Sequence, residues 1–235
     1  MKILSIIPAR AGSKRIANKN IKLCAGKPLI AWTIEAALSS KLQTDVVVST
    51  DSEEIARIAQ QYGAQVPFLR PENLAGDKSD TFDTLKFTLA ELSAQGHHYD
   101  YLILLQATSP LRKAFHIDEA FSLLVKSKAK AVISVSRMEQ PCEWSMTLPD
   151  NHSLNHFIDN NLHYLKTRSQ DLPNRYHLNG SIFCIKIQDY LQEGTFYLNE
   201  GVFAYPMMKQ HSIDIDEQSD FDYAEYLLLK QNTIK

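Results

Sequence analysis

Apolar runs of strand length alternate with amphipathic stretches along the first 136 residues of the chain. "KILSIIP", "DVVVST", "VPFL", "YLILLQ" and "AVISVS" read as strands, and "PLIAWTIEAALSS", "SEEIARIAQQYG", "DTFDTLKFTLAELSAQG" and "AFHIDEAFSLLVKS" read as helices between them. With a helical crossover before each strand, the sheet is expected to be mostly parallel and covered on both faces. The pattern predicts an α/β, Rossmann-like, doubly wound domain.

After Ser136 the alternation stops. Residues 137–180 are rich in Pro, Asn, His and aromatics without a clear helical repeat, and read as an insertion forming a hairpin or lid. "SIFCIKI", "VFAYPM" and the expected strand "HSIDID" then resume the core pattern, and "SDFDYAEYLLLKQ" reads as a last amphipathic helix. The chain therefore divides into an α/β half at 1–136, the insertion at 137–180, and a C-terminal part of the same domain at 181–235.

Composition narrows the function classes. A length of 235 residues with 44% hydrophobic side chains sustains one buried core. With 25 basic against 27 acidic residues the chain lacks the global positive field of a nucleic-acid binder, so any polyanion must be met locally. Cys24, Cys142 and Cys184 are odd in number and far apart, with no CxxC, which points to a reducing, cytoplasmic compartment. The apolar run "ILSII" is too short for a signal peptide, and no later run approaches the roughly eighteen apolar residues of a membrane span.

Four stretches carry candidate chemistry. The loop "PARAGSKRIANKNIK" brings Arg10, Lys14, Arg15, Lys19 and Lys22 together with no acidic residue, and with the backbone N–H groups around Gly12 and Ser13 it suits a triphosphate. Charge alone reads equally as a solvated loop. GxGxxG and GxxxxGK[ST] are both absent, which disfavours a dinucleotide dehydrogenase and a P-loop ATPase. In "SIDID", Asp214 and Asp216 are two apart and would share one face of a strand, where paired carboxylates suit Mg²⁺; the alternative is a helix start and a wet edge. "YLILLQATSPLR" ends a buried strand in Gln106, Thr108, Ser109, Pro110 and Arg112, a polar cluster suited to a sugar or an ordinary strand-to-helix turn. "FLRPENLAGDKSDT" offers Arg70 and Thr81 to a base, or a surface Arg and a helix-start Thr.

Taken together, in this order and spacing, "IIPARAGSKRIANKNIK", "FLRPENLAGD", "LLQATSPLR", "LNGSIF" and "SIDIDEQSDFDYAE" make the chain resemble the acylneuraminate cytidylyltransferases, the CMP-sialic acid synthetases, over nearly its whole length. The resemblance implies an enzyme that joins CTP to a nine-carbon 2-keto sugar acid, releases pyrophosphate, requires Mg²⁺ and works as a homodimer. It implies that Arg10, Gly12, Ser13, Lys14, Lys19 and Asn20 surround the nucleotide phosphates and that Arg70 and Thr81 face the cytosine. Gln106, Ser109, Arg168, Asn179, Gly180 and Phe183 would meet the sugar acid, and Asp214 with Asp216 would hold the metal. Arg10, Lys14, Lys19, Asp214 and Asp216 would carry the catalysis, and the insertion would reach across a dimer to complete the partner's sugar pocket.

The chain departs from the family pattern where Arg168 is followed by Ser169 rather than by a second Arg, and where "QPCEW" stands in place of a segment with Lys. N-acetylneuraminic acid is thus the first expected substrate and legionaminic acid the second. A 3-deoxy-manno-octulosonate cytidylyltransferase is disfavoured by the Lys19–Asn20 pair and the late "DID". A non-catalytic nucleotide-binding regulator is disfavoured by the intact Asp214 and Asp216.

Overall fold

The computed structural model describes residues 1–42, 44–76 and 79–233. In chain order the elements are β1 (Ile3–Pro8), β2 (Leu23–Cys24), β3 (Lys27–Pro28), α1 (Leu29–Leu38), β4 (Asp45–Ser49), α2 (Glu53–Gln61), α3 (Thr81–Ala94) and β5 (Tyr101–Leu105). There follow α4 (Ala114–Lys126), β6 (Ala131–Arg137), α5 (Asn155–Leu165), β7 (Tyr176–Lys186), α6 (Ile187–Glu193), β8 (Val202–Met207) and α7 (Gln218–Thr233). Six strands form one sheet in the order β4-β1-β5-β7-β6-β8, and β2 pairs with β3 in a small ribbon. The parallel pairs are β1 with β4, β1 with β5 and β6 with β8; β7 runs antiparallel to both neighbours. This is the mostly parallel α/β sheet that the apolar pattern predicts.

The apolar runs are buried on both faces of the sheet. One core layer joins Ile3, Ile7, Ile103 and Leu105 to Ile30 and Ile34 of α1 and Ile117 and Phe121 of α4. The other joins Leu4, Ile6, Leu102 and Leu104 to Leu85 and Leu89 of α3 and Tyr190 of α6. A third cluster seats Phe221 and Leu228 of α7 against Leu29 and Cys24. From β1 the chain passes to β4 on one side and later to β5 on the other, so the loops after β1 and β5 diverge at a topological switch point, where open α/β sheets bind ligands.

Three local expectations are corrected. "VPFL" is not a strand: Pro67 has no N–H to give to a ladder, and the one isolated bridge nearby, Gln65 with Val47, falls just before it. "SIDID" is not a strand either, because nothing pairs with it; Ile215 is anchored instead by its N–H to the Thr108 carbonyl at 2.9 Å. The inserted region contains a helix, α5, whose Ile158, Leu162 and Leu165 recur at helical spacing but face outward, so none of its residues is buried. Position 180, the expected end of the insertion, falls inside β7, which begins at Tyr176 and pairs there with Arg137 at the end of β6.

The start of α4 is closed by His116, whose Nδ1 accepts the Lys113 N–H at 3.0 Å. Burial, followed by the charges of His211, Arg112 and Lys113, pushes the His116 imidazole down to about 4. It is neutral in the fold, whereas an unfolded chain takes up a proton near pH 6.5. Stability should therefore be full above pH 6.5 and fall as the pH drops towards 4, by up to about 3 kcal/mol from this group. Urea midpoints measured across that range should flatten in His116→Gln.

Candidate active site

The loop after β1 owes its shape to three anchors. The Ala11 N–H donates to Asp51 Oδ1 at 3.1 Å, Asn20 Nδ2 donates to the Arg10 carbonyl at 3.0 Å, and Lys19 Nζ donates to the Ile215 carbonyl at 2.6 Å. These contacts turn a basic stretch into the wall of a cavity of about 630 Å³. Arg10, Ser13, Lys14, Lys19 and Asn20 line it from this loop, Arg70 and Thr81 from the segment leading into α3, and Gln106 and Asp216 from the opposite side. The loops singled out in the sequence thus line one space.

Electrostatics give the cavity two signs. Burial draws the Lys19 ammonium below its ordinary range, while Asp216 and Asp214 pull it back up. Burial, opposed chiefly by a hydrogen bond from Thr108, raises the Asp214 carboxyl above its ordinary range. Arg15 lies 3.3 Å from Asp216, so the cationic loop and the acidic segment already touch. Ile215 between the two carboxylates is fully buried, which keeps Asp214 and Asp216 outward although no ladder enforces it. They nevertheless open on different spaces: Asp216 lines the main cavity, and Asp214 lines a neighbouring one of about 420 Å³ with Asn179, Arg137, His177 and Lys209.

Gly180 lies between Gln106 of the larger space and Asp214 of the smaller. At φ +69° it occupies the left-handed region, and a Cβ there would lie 3.0 Å from Gln106 Oε1 and 3.4 Å from Asp214 Oδ2. A bulge in β7 aims it there. Pairing jumps from Ile133↔Phe183 to Val135↔Leu178, and Ser134 Oγ fills the gap by donating to Asn179 Oδ1 at 2.6 Å and accepting from the Ile182 N–H at 2.8 Å.

Several expected contacts lie elsewhere. Phe183 packs in the apolar core against Phe196, because the pleat past the bulge turns it inward. Ser109 is buried behind the cavity wall, and Gly12 stands in open space off the lining. The Asn179 amide is consumed internally, by Ser134, the Ser181 N–H and Ser212, so it shapes the bulge. Arg168 is exposed on the insertion and lines none of these cavities.

The protein is similar over its full length to known enzymes. A family model described as Cytidylyltransferase matches residues 4–234. The chain belongs to the cytidylyltransferase family. The N-acylneuraminate cytidylyltransferase of Escherichia coli is 41% identical over 235 residues, all of this chain and 54% of that protein; this chain therefore spans about half of that relative's length. The CMP-N,N'-diacetyllegionaminic acid synthase of Legionella pneumophila is 40% identical, with 97% of each chain covered. The pseudaminic acid cytidylyltransferase of Campylobacter jejuni is 36% identical over 97% of this chain and 96% of that one. Among solved structures, a CMP:2-keto-3-deoxy-manno-octonic acid synthetase in complex with CTP shares the cytidylyltransferase fold, with a TM-score of 0.72, 16% identity, and 98% and 100% of the chains covered.

Asp51 escaped the sequence reading, since a lone Asp after a strand carries no signal of its own. It lies 3.4 Å from the buried Arg70 guanidinium, whose Nε has no partner among the described residues, while also holding the Ala11 N–H. Burial draws Arg70 down and Asp51 opposes this. Asp51→Asn removes the charge that holds both the loop and Arg70, and should weaken CTP binding by about tenfold, the scale of one charge-assisted hydrogen bond. Isothermal titration with CTP checks it.

Proposed function

We propose that the chain transfers the cytidylyl group of CTP to a nonulosonic acid, a nine-carbon 2-keto sugar acid, releasing pyrophosphate. The observation that carries this reading is the pair of adjoining cavities, with the cationic loop and the carboxylate segment fastened to each other at the larger one and Gly180 between the two. The relatives support it, since their names cover N-acylneuraminate, pseudaminic and legionaminic acids. N-acylneuraminate is the leading substrate and a legionaminic acid the second.

In this reading CTP occupies the larger cavity. Arg70 and Thr81 face the base, and Arg10, Ser13, Lys14 and Lys19 meet the phosphates, with Asn20 holding the Arg10 carbonyl in place. The sugar acid takes the smaller cavity, next to Gly180 and to Gln106 of the larger one, where Arg137 answers its carboxylate while Lys209 is held by Glu139 and His177 by Ser136. The anomeric hydroxyl attacks the α-phosphorus in line, a new P–O bond forms, and the bond to the β-phosphate oxygen breaks. Charge gathers on the departing pyrophosphate, where Lys14 and Lys19 stabilise it. The hydroxyl proton leaves towards the carboxylate side of the site.

Among the described residues no group of three His, Cys, Asp or Glu gathers into a complete cation site. One carboxylate on the phosphate pocket, Asp216, and a second two residues away on the adjoining cavity, Asp214, are nevertheless oxygen donors of the kind Mg²⁺ favours, since that ion keeps water and phosphate oxygens as its other ligands. Asp214 and Asp216 would hold Mg²⁺, which would supply charge neutralisation at the reacting phosphoryl oxygens.

The outward stripe of α5, Ile158, Leu162 and Leu165, between 37% and 45% exposed, supports a homodimer in which a second copy covers the insertion and Arg168 faces the partner's sugar pocket. The three free thiols support a reducing, cytoplasmic setting.

Asp216→Ala and Lys19→Ala should each lower pyrophosphate release from CTP with a nonulosonic acid by at least about a hundredfold, the scale of one transition-state charge contact, while leaving the unfolding midpoint near wild type. Near-normal turnover in both would overturn the assignment. For the assembly, Leu162→Asp should shift the light-scattering mass from dimer to monomer, keep CTP binding and lose sugar-dependent turnover.

A further inference from the structure

Arg112 stands out as a buried cation without an anion. Its side chain is 1% exposed, no ion pair reaches it among the described residues, and Nε and Nη2 have no partner. Burial alone pushes the guanidinium down to about 9. Burying a charge in this way costs several kcal/mol, which a chain retains only where the group does something an apolar side chain cannot.

What it does is visible in its one productive nitrogen. The antiparallel ladder between β5 and β7 ends at Leu105↔Ile182. One residue further, Nη1 of Arg112 donates to the Gln106 carbonyl at 3.2 Å and to the Ser181 carbonyl at 2.7 Å, with Ser181 Oγ at 3.4 Å. Two carbonyl oxygens that would repel across a dry gap are thus bridged by one cationic donor where the next rung of the sheet would lie. The residues fixed by this bridge are those that build the junction of the two cavities: Gln106, whose Oε1 would touch a Cβ at position 180, and Ser181, the neighbour of Gly180. Thr33 adds a weaker hold on the Gln106 carbonyl at 3.3 Å, and Thr108 one on Gln106 Oε1 at 3.4 Å.

We propose that Arg112 is a positioning residue for the sugar acid: by bridging the Gln106 and Ser181 carbonyls it holds the ends of β5 and β7 at the spacing that forms the acceptor pocket, without touching either substrate. The inference rests on the cytidylyl-transfer reading. Gln106 also lines the larger cavity, but the anchors of the nucleotide loop, Asp51, Asn20 and Lys19, are independent of Arg112, so its loss should fall on the sugar acid far more than on CTP.

The test compares wild type with Arg112→Met, which keeps the bulk and removes the donors, and Arg112→Lys, which keeps one cationic donor. Arg112→Met should raise KM for the sugar acid at least tenfold and leave the Kd for CTP within twofold. Arg112→Lys should restore most of the loss. Hydrogen exchange should quicken in residues 104–108 and 179–182 of Arg112→Met and stay unchanged around the loop at 10–20. A folded Arg112→Met with an unchanged sugar-acid KM, or one in which CTP affinity falls in step, would overturn the proposal. Should Arg112→Met not fold, Arg112→Lys carries the test: a sugar-acid KM raised two- to fivefold with local exchange at 104–108 supports the role, and no change in either overturns it. Failure of the cytidylyl-transfer reading would show separately, as wild type turning over no nonulosonic acid.

Discussion

The Lys19 ammonium seated on the Ile215 carbonyl is the contact on which the site depends, because it fastens the first loop of the chain to its last one. Neither loop has a ladder to hold it. The basic loop would splay under its own repulsion, and the acidic segment has no strand partner. Joined, they give a surface whose two signs are separated by a few ångströms, with Arg15 already leaning on Asp216. Opposite charges this close attract, so the two signs that face the cavity also help to hold its two loops together.

The sheet supplies the rest of the geometry. The reversal of strand order beside β1 opens the cleft, and the bulge in β7 turns Gly180 into it where only a missing side chain leaves room for Gln106 and Asp214. Hydrogen bonds that seem incidental in isolation, such as those from Ser134 to its two partners, serve to hold this irregular backbone without strain elsewhere. The site is thus made from places where regular pairing stops, and each stop is closed by a polar side chain.

Much of this was readable in the sequence. The apolar runs gave β1, β4, β5 and β6 because parallel strands are buried on both faces, and the basic loop, Arg70, Gln106 and "DID" carried their chemistry in their residue types. Errors arose where tertiary context overrides local pattern. Pro67 breaks an apolar run, α5 hides its period among Asn and His because it packs only lightly, on the turn at 142–144, with none of its residues buried, and Phe183 looks like a pocket aromatic until the bulge fixes its face. Asp51 and Arg137 could not be found from sequence at all, since their meaning lies in neighbours far along the chain.

The place of β7 has a consequence for how the molecule is made. It is the seventh strand in the chain but lies between the fifth and sixth, and β5 and β6 do not pair with each other. A chain emerging from the ribosome therefore exposes one unfinished sheet, β4-β1-β5, and a lone strand, β6, each with an open hydrogen-bonding edge, until residues 176–186 arrive. Their joining is a non-local step, slow by contact order, and the intervening insertion is the tether across which it must occur. The same strand that finishes the smaller cavity finishes the fold, so the chain has no well-formed second cavity before it has a complete sheet.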